Sequence, residues 1–135
     1  MKIKANINEL SKVTDLFKEN GVYILQGDLA SGKTSLVKHL LKTRLDYDDV
    51  SSPTFSILNI YEKNNKKIFH YDIYNCEVKT MLINGLFENF FINTLHLVEW
   101  GNEELILLLK KYNINATIVK ITTIKEGREY EFIEA

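Results

Sequence analysis

An α/β fold, a mixed sheet flanked by helices with antiparallel hairpins built into it, is predicted by three stretches of the sequence. The first is Gly27-Asp28-Leu29-Ala30-Ser31-Gly32-Lys33-Thr34. It matches G-x-x-x-x-G-K-[ST] at every fixed position. An apolar run, Val22-Tyr23-Ile24-Leu25-Gln26, precedes it, and Leu36, Val37, Leu40 and Leu41 follow at helical spacing. Strand, glycine loop and helix in that order are the setting of a phosphate-binding loop. The second stretch is a pair of β-rich runs, Phe55 to Glu62 and Lys67 to Tyr74, joined by Lys63-Asn64-Asn65-Lys66. Asparagine tolerates left-handed turn geometry, so the pair reads as a hairpin. The third is Leu95-His96-Leu97-Val98-Glu99-Trp100, an apolar strand that ends in a carboxylate. Together they point to the P-loop NTPase type of sheet.

The loop's residue types follow from anion chemistry. Glycine lets the backbone turn tightly and approach a polyphosphate with no Cβ in the way. Successive N–H groups then cradle the anion, and the helix adds its positive N-terminal end. Lys33 is expected to reach the β- and γ-phosphates of ATP, and the Thr34 hydroxyl to bind Mg²⁺. Gly27 through Ser35, with Leu29, Ala30 and Ser31 inside the run, are the expected cofactor-binding residues. The plainer alternative is a glycine turn between strand and helix with no ligand.

In chain order, Ile7, Leu10, Val13, Leu16 and Phe17 fall on one face of a helix over residues 6–19, with Asn6 or Asn8 as its cap and Asn20-Gly21 as its stop. The strand 22–26, the loop and a helix from Lys33 to Lys42 come next, then an acidic connection, Asp46-Tyr47-Asp48-Asp49. Pro53 within Ser51-Ser52-Pro53-Thr54-Phe55 fixes a rigid turn. Thr54 there is a candidate to contact Mg²⁺ or the γ-phosphate, as threonines on switch loops do. His70 and Asp72 share a face of the following strand. Asp72 sits where open α/β sheets place ligand groups, whereas His70 reads as a half-buried, hydrogen-bonded strand residue. Val78, Met81, Leu82, Leu86, Phe87 and Phe90 form a helical stripe interrupted by Asn84-Gly85. Glu99 is the best acid to hold Mg²⁺ or orient water. Trp100 packs either in the core or against the nucleotide site. A helix reaches to Tyr112, and Ala116 to Ile124 with Glu129 to Ile133 form a closing hairpin whose charged ends suit a solvated edge.

Composition bounds the function. The 135 residues suit one domain, 1–135, and hydrophobic (45%) and charged (26%) fractions are those of an ordinary globular protein. A net charge of −1 argues against free-standing nucleic-acid binding. The single cysteine, Cys76, permits no intrachain disulfide. No leader and no membrane-length apolar run occur in the sequence, so a cytoplasmic location is expected. Arg44 and Arg128 are the only arginines, few for a small-molecule kinase that must clamp a transferred phosphoryl group. A guanine-reading N-K-x-D motif is missing as well.

The ordered set GDLASGKT, SSPTF, HYDIY, NGLFENF and LVEW resembles the bacterial TsaE family, and the resemblance runs from about Gly21 to Trp100. It implies a small Mg²⁺-dependent ATPase needed for threonylcarbamoyladenosine modification of tRNA. In that family the group transfer belongs to the partner TsaD, working with TsaB, and tRNA is met only through the complex. By motif, Lys33 and Thr34 serve phosphates and Mg²⁺, Glu99 joins the metal shell, Thr54 belongs to the switch-like loop, and Asp72 and Trp100 stand at positions the family needs for activity. Two departures stand out. Ala30-Ser31 replaces the family's frequent Gly-Ala, and Asn75 stands where an arginine is frequent. Two other readings remain: a small-molecule or nucleoside kinase, and an ATP-dependent interaction module that does not hydrolyse.

Overall fold

The computed structural model describes residues 1–28, 32–47, 57–74 and 76–135. Seven strands form one sheet in the order β1-β7-β6-β2-β5-β4-β3. They are β1 (Lys2–Ala5), β2 (Gly21–Gln26), β3 (Leu58–Lys63), β4 (Lys66–Asp72), β5 (Leu95–Glu99), β6 (Ala116–Ile124) and β7 (Gly127–Glu134). The middle of the sheet, β6-β2-β5-β4, is parallel, and an antiparallel pairing closes each side, β3 on β4 and β7 on β6. The expected mixed α/β sheet with hairpins is what the chain adopts.

Strand alternation splits the core into two layers. Tyr23, Leu25, Leu95 and Leu97 face one side, where α1 (Ser11–Thr14) and α2 (Lys33–Leu45) supply Val13, Leu36, Val37, Leu40 and Leu41. Val22, Ile24 and Val98 face the other, against α3 (Val78–Ile83), a 3₁₀ turn (Leu86–Phe91) and α4 (Glu103–Lys111). Burial on both faces explains why β2 and β5 read as apolar runs instead of alternating. The β3–β4 turn has Asn64 at φ 54° and Asn65 at φ 66°, the double left-handed geometry of a tight hairpin turn. The break in the third helical stripe falls at Gly85, φ 81°, with Asn84 Oδ1 accepting from Leu86 N at 2.9 Å.

The N-terminal region differs from its sequence pattern. No helix spans 6–19. Asn6 opens a 3₁₀ turn, Ile7–Glu9, with a reciprocal Asn6–Glu9 cap, and α1 covers only four residues. Arg44, reaching over from α2, explains the early stop: its Nη2 donates to Thr14 O at 3.0 Å and Phe17 O at 2.6 Å. Those carbonyls no longer need a further helical turn. Phe17 is thereby free to pack on Tyr23 and Phe132. β1 has no counterpart in the sequence reading. It pairs antiparallel with β7, from Lys2 opposite Glu131 to Ala5 opposite Arg128. The solvated edge on that side of the sheet is therefore β1, with its two lysines, and β7 lies inside. α2 also runs to Leu45, beyond Lys42, and closes on Asp46 at φ 52°. No helix among the described residues is long and apolar enough to cross a membrane.

Candidate functional site

Parallel strands β2, β4, β5 and β6 all end on one side of the sheet, and Gly27, Asp28, Lys33, Asp72, Glu99 and Trp100 lie at that end. β2 leads through Gly27 and Asp28 toward α2, which starts after Gly32 at φ 96°. That left-handed angle is one only glycine adopts without strain. Lys33, Thr34 and Ser35 make the first turn of α2. Leu29, Ala30, Ser31, Thr54 and Asn75 lie outside the described residues.

Lys33 is the centre of the arrangement. Only 4% exposed, it sends its ammonium back along the loop to donate to Gly27 O at 2.6 Å and Asp28 O at 2.8 Å. The same Nζ lies 4.0 Å from the centroid of the Trp100 ring. Burial pushes the Lys33 pKa below the ordinary lysine value, and the carboxylates of Glu99, Asp28 and Asp72 oppose that shift. An ammonium held dry, among acceptors and next to an aromatic face, attracts anions strongly because little water screens it.

Trp100 reaches Lys33 through an unusual backbone. Its φ is 65°, a left-handed angle that is costly for a bulky residue and typical of functional turns. The turn brings the indole back over the lysine, and the Tyr74 ring packs edge-on against that indole, with 4.8 Å between the ring centroids. Next in sequence, Gly101 has no room for a side chain, since a Cβ there would stand 2.4 Å from Ile24 Cγ2. The chain is thus pressed against β2 immediately after the tryptophan.

The two acids stand side by side. Asp72 and Glu99 are register partners at the ends of β4 and β5. Asp72 Oδ1 accepts from Tyr74 N at 3.2 Å, an Asx-type turn that starts the chain away from the sheet. Glu99 is 4% exposed, and its Oε2 lies 2.5 Å from Nε2 of His70, which is fully buried. Nδ1 of that ring is buried with no hydrogen-bond partner among the described residues. The proton therefore belongs on Nε2, which donates to the carboxylate; an N–H on Nδ1 would be left without an acceptor. His70 is a strand residue with a hydrogen bond, as its sequence position suggests, but it is wholly buried, and its bond fixes the very acid singled out for the metal.

Among the described residues no cluster of three or more His, Cys, Asp or Glu could hold a metal. The donors present suit an ion that takes its remaining ligands from phosphates and water, as Mg²⁺ does. Cys76 is half-buried, its thiol pKa raised by burial and by Glu77, and it has no part in the site. Sequence reasoning missed one member of this neighbourhood, the His70 link to Glu99, for which the only available signal was H-x-D on a strand.

The family model described as threonylcarbamoyl adenosine biosynthesis protein TsaE matches residues 2–130. The chain belongs to the TsaE family. Among curated relatives of that name, the Rickettsia felis protein is 32% identical over 75% of this chain and 62% of its own length. The Rickettsia typhi protein is 34% identical over 62% of this chain and 59% of its own. The Bacillus subtilis TsaE is 30% identical over 92% of this chain and 82% of its own length. The chain thus spans under two thirds of the length of the two Rickettsia proteins. The crystal structure of Bacillus subtilis YdiB superposes with a TM-score of 0.62 at 26% identity, covering 98% of this chain and 83% of that one. The TsaE match takes in β1, the N-terminal 3₁₀ turn and the start of β7, well beyond the motif region from Gly21 to Trp100.

Proposed function

We propose that this TsaE-family chain is the Mg²⁺-dependent ATPase of threonylcarbamoyladenosine biosynthesis on tRNA, supporting turnover of a TsaD–TsaB complex. The observation that carries the reading is the convergence of Lys33, Glu99 and Trp100 at the end of β2 and β5, beside a left-handed Gly32. Lys33 exchanges its loop carbonyls for phosphate oxygens when a triphosphate enters. The N–H groups of the first turn of α2 orient the same phosphates. The Thr34 hydroxyl and the Glu99 carboxylate would hold Mg²⁺ from the protein side, and the ion would neutralise phosphate charge. His70 keeps Glu99 aimed, and Trp100 keeps bulk water off the ammonium. Thr54 completes the γ-phosphate side in this proposal.

Hydrolysis by the isolated chain is expected to be slow. Of its two arginines, Arg44 is engaged at the far end of α2, which leaves little cationic charge for the transition state. ATP turnover is measured with and without purified TsaD–TsaB, for the native chain and for Lys33→Ala. Stimulation by the partners, and its loss in Lys33→Ala, is the expected result. Equal rates with and without partners would remove the partner-coupled reading. Stimulation by a small alcohol in their place would turn the assignment to a kinase.

A further inference from the structure

Of the chain's two arginines, Arg128 has no role in the account above. Its position follows from the sheet order. β6 lies beside β2 and parallel to it, so both strands end at the same side. There β2 passes into the phosphate loop and β6 turns into β7, whose second residue is Arg128. A Cβ built on Gly32 would stand 2.7 Å from Arg128 Cζ, 2.8 Å from Nε and 2.9 Å from Nη1. The guanidinium thus fills the room that a side chain at position 32 would need. Its Nε is buried without a hydrogen-bond partner among the described residues, and no described carboxylate forms a salt bridge with it.

Burial raises the pKa of the Tyr130 hydroxyl and the guanidinium, hydrogen-bonded to it, pulls that pKa down, but no carboxylate among the described residues pairs with the cation. It borders the N-terminus of α2, where backbone N–H groups present partial positive charge, and Lys33 is the next residue. Positive groups converge in this way where an anion is to be bound. The hairpin that carries Arg128 is also held firmly. Gly127 sits at φ 134°, and a Cβ on it would stand 2.8 Å from Ala5 O, so β1 packs directly on the residue before the arginine.

We infer that Arg128 is a positioning residue of the phosphate site. It braces Gly32 in its left-handed conformation from the hairpin side and adds its charge to the field that the phosphates of a nucleoside triphosphate enter. The inference rests on the phosphate-site reading above. It adds that the C-terminal hairpin, anchored by β1, is part of the site's rigid wall.

The test is calorimetric titration of the full chain with Mg-ATP and with inorganic pyrophosphate, for the native protein, Arg128→Lys and Arg128→Gln. The backbone amide resonance of Gly32 is followed in the same proteins without ligand. Arg128→Gln is expected to weaken both ligands about tenfold or more. Arg128→Lys keeps the charge but loses the planar contact, and falls between the two. The Gly32 resonance moves in both variants, which a role confined to overall stability would not produce. Affinities of Arg128→Gln within about twofold of native overturn the inference. If that variant does not fold, native affinity and an unmoved Gly32 resonance in Arg128→Lys overturn it. Failure of the phosphate-site reading has a separate signature, equal ATP binding by the native chain and Lys33→Ala, and that result also overturns the inference.

Discussion

Replacing His70 by phenylalanine tests how much the fold and the site share. The ring is fully buried and stacks beside Tyr61 at 6.5 Å, so phenylalanine keeps the shape and removes the nitrogens. The lost interaction is one hydrogen bond to a carboxylate, Nε2 to Glu99 Oε2 at 2.5 Å. Hydrogen bonds to charged groups contribute about 1.5–3 kcal/mol. Glu99, 4% exposed, is then left with one donor fewer, which moves the expected cost toward about 3 kcal/mol. For a chain of this size that is a fall in Tm of roughly 10 °C. Urea denaturation followed by circular dichroism and by the fluorescence of Trp100, the one tryptophan, measures it. A double-mutant cycle with Glu99→Leu isolates the pair and is expected to give a coupling of about 2 kcal/mol. ATP turnover of His70→Phe is expected to fall more than ATP affinity, because the acid is loosened while Lys33 is untouched. A cost and a coupling both under about 0.5 kcal/mol would refute the view that His70 holds Glu99 in place.

Gly127→Ala combines a left-handed φ of 134° with a Cβ 2.8 Å from Ala5 O, a backbone atom that has little freedom to yield. The expected destabilisation is about 2–3 kcal/mol, with amide exchange in β1 accelerated; native stability and native exchange would contradict it. Acid sensitivity comes from His96. Its Nε2 donates to Ile92 O at 2.8 Å and its Nδ1 accepts from the Tyr71 hydroxyl at 2.8 Å, so the ring is neutral, and burial lowers its pKa. The unfolded chain takes up this proton near the ordinary histidine value, about 6.5, before the native protein does. Stability is therefore fully present above that pH and declines as pH falls toward the lowered native pKa. Thermal melts between pH 5 and pH 8 show this slope, which should be smaller in His96→Gln; identical slopes would exclude His96 as its source.

The legible parts of this molecule are those whose signal is local. A strand buried on both faces, a glycine-rich loop and an apolar helix face each occupy a few adjacent residues, and β2, α2 and β5 were plain for that reason. β1 was not. Ile3 and Ala5 alternate with two lysines over only four residues, and what makes them a strand is β7, over a hundred positions away. The helix expected over 6–19 has the right inward residues, Leu10, Val13 and Phe17, but its length is set by Arg44 taking the carbonyls of Thr14 and Phe17. The site shows the same division. Lys33, Asp72, Glu99 and Trp100 could be nominated because each ends or starts an element. The His70–Glu99 bond and the approach of Arg128 to Gly32 depend on which strands are neighbours, and spacing along the chain does not carry strand order.

The contacts of Lys33 bear on what the loop will accept. Two of its acceptors among the described residues, Gly27 O and Asp28 O, belong to the loop itself, so an arriving anion would meet internal rivals already seated at the ammonium. In the proposed ATP-binding role, a chain of phosphates would meet the ammonium, the Gly32 turn and the first N–H groups of α2 together, and so would compete with the carbonyls better than a small anion. On that reading the lysine's folded-back posture would act as a threshold, favouring ligands long enough to engage several donors in one event.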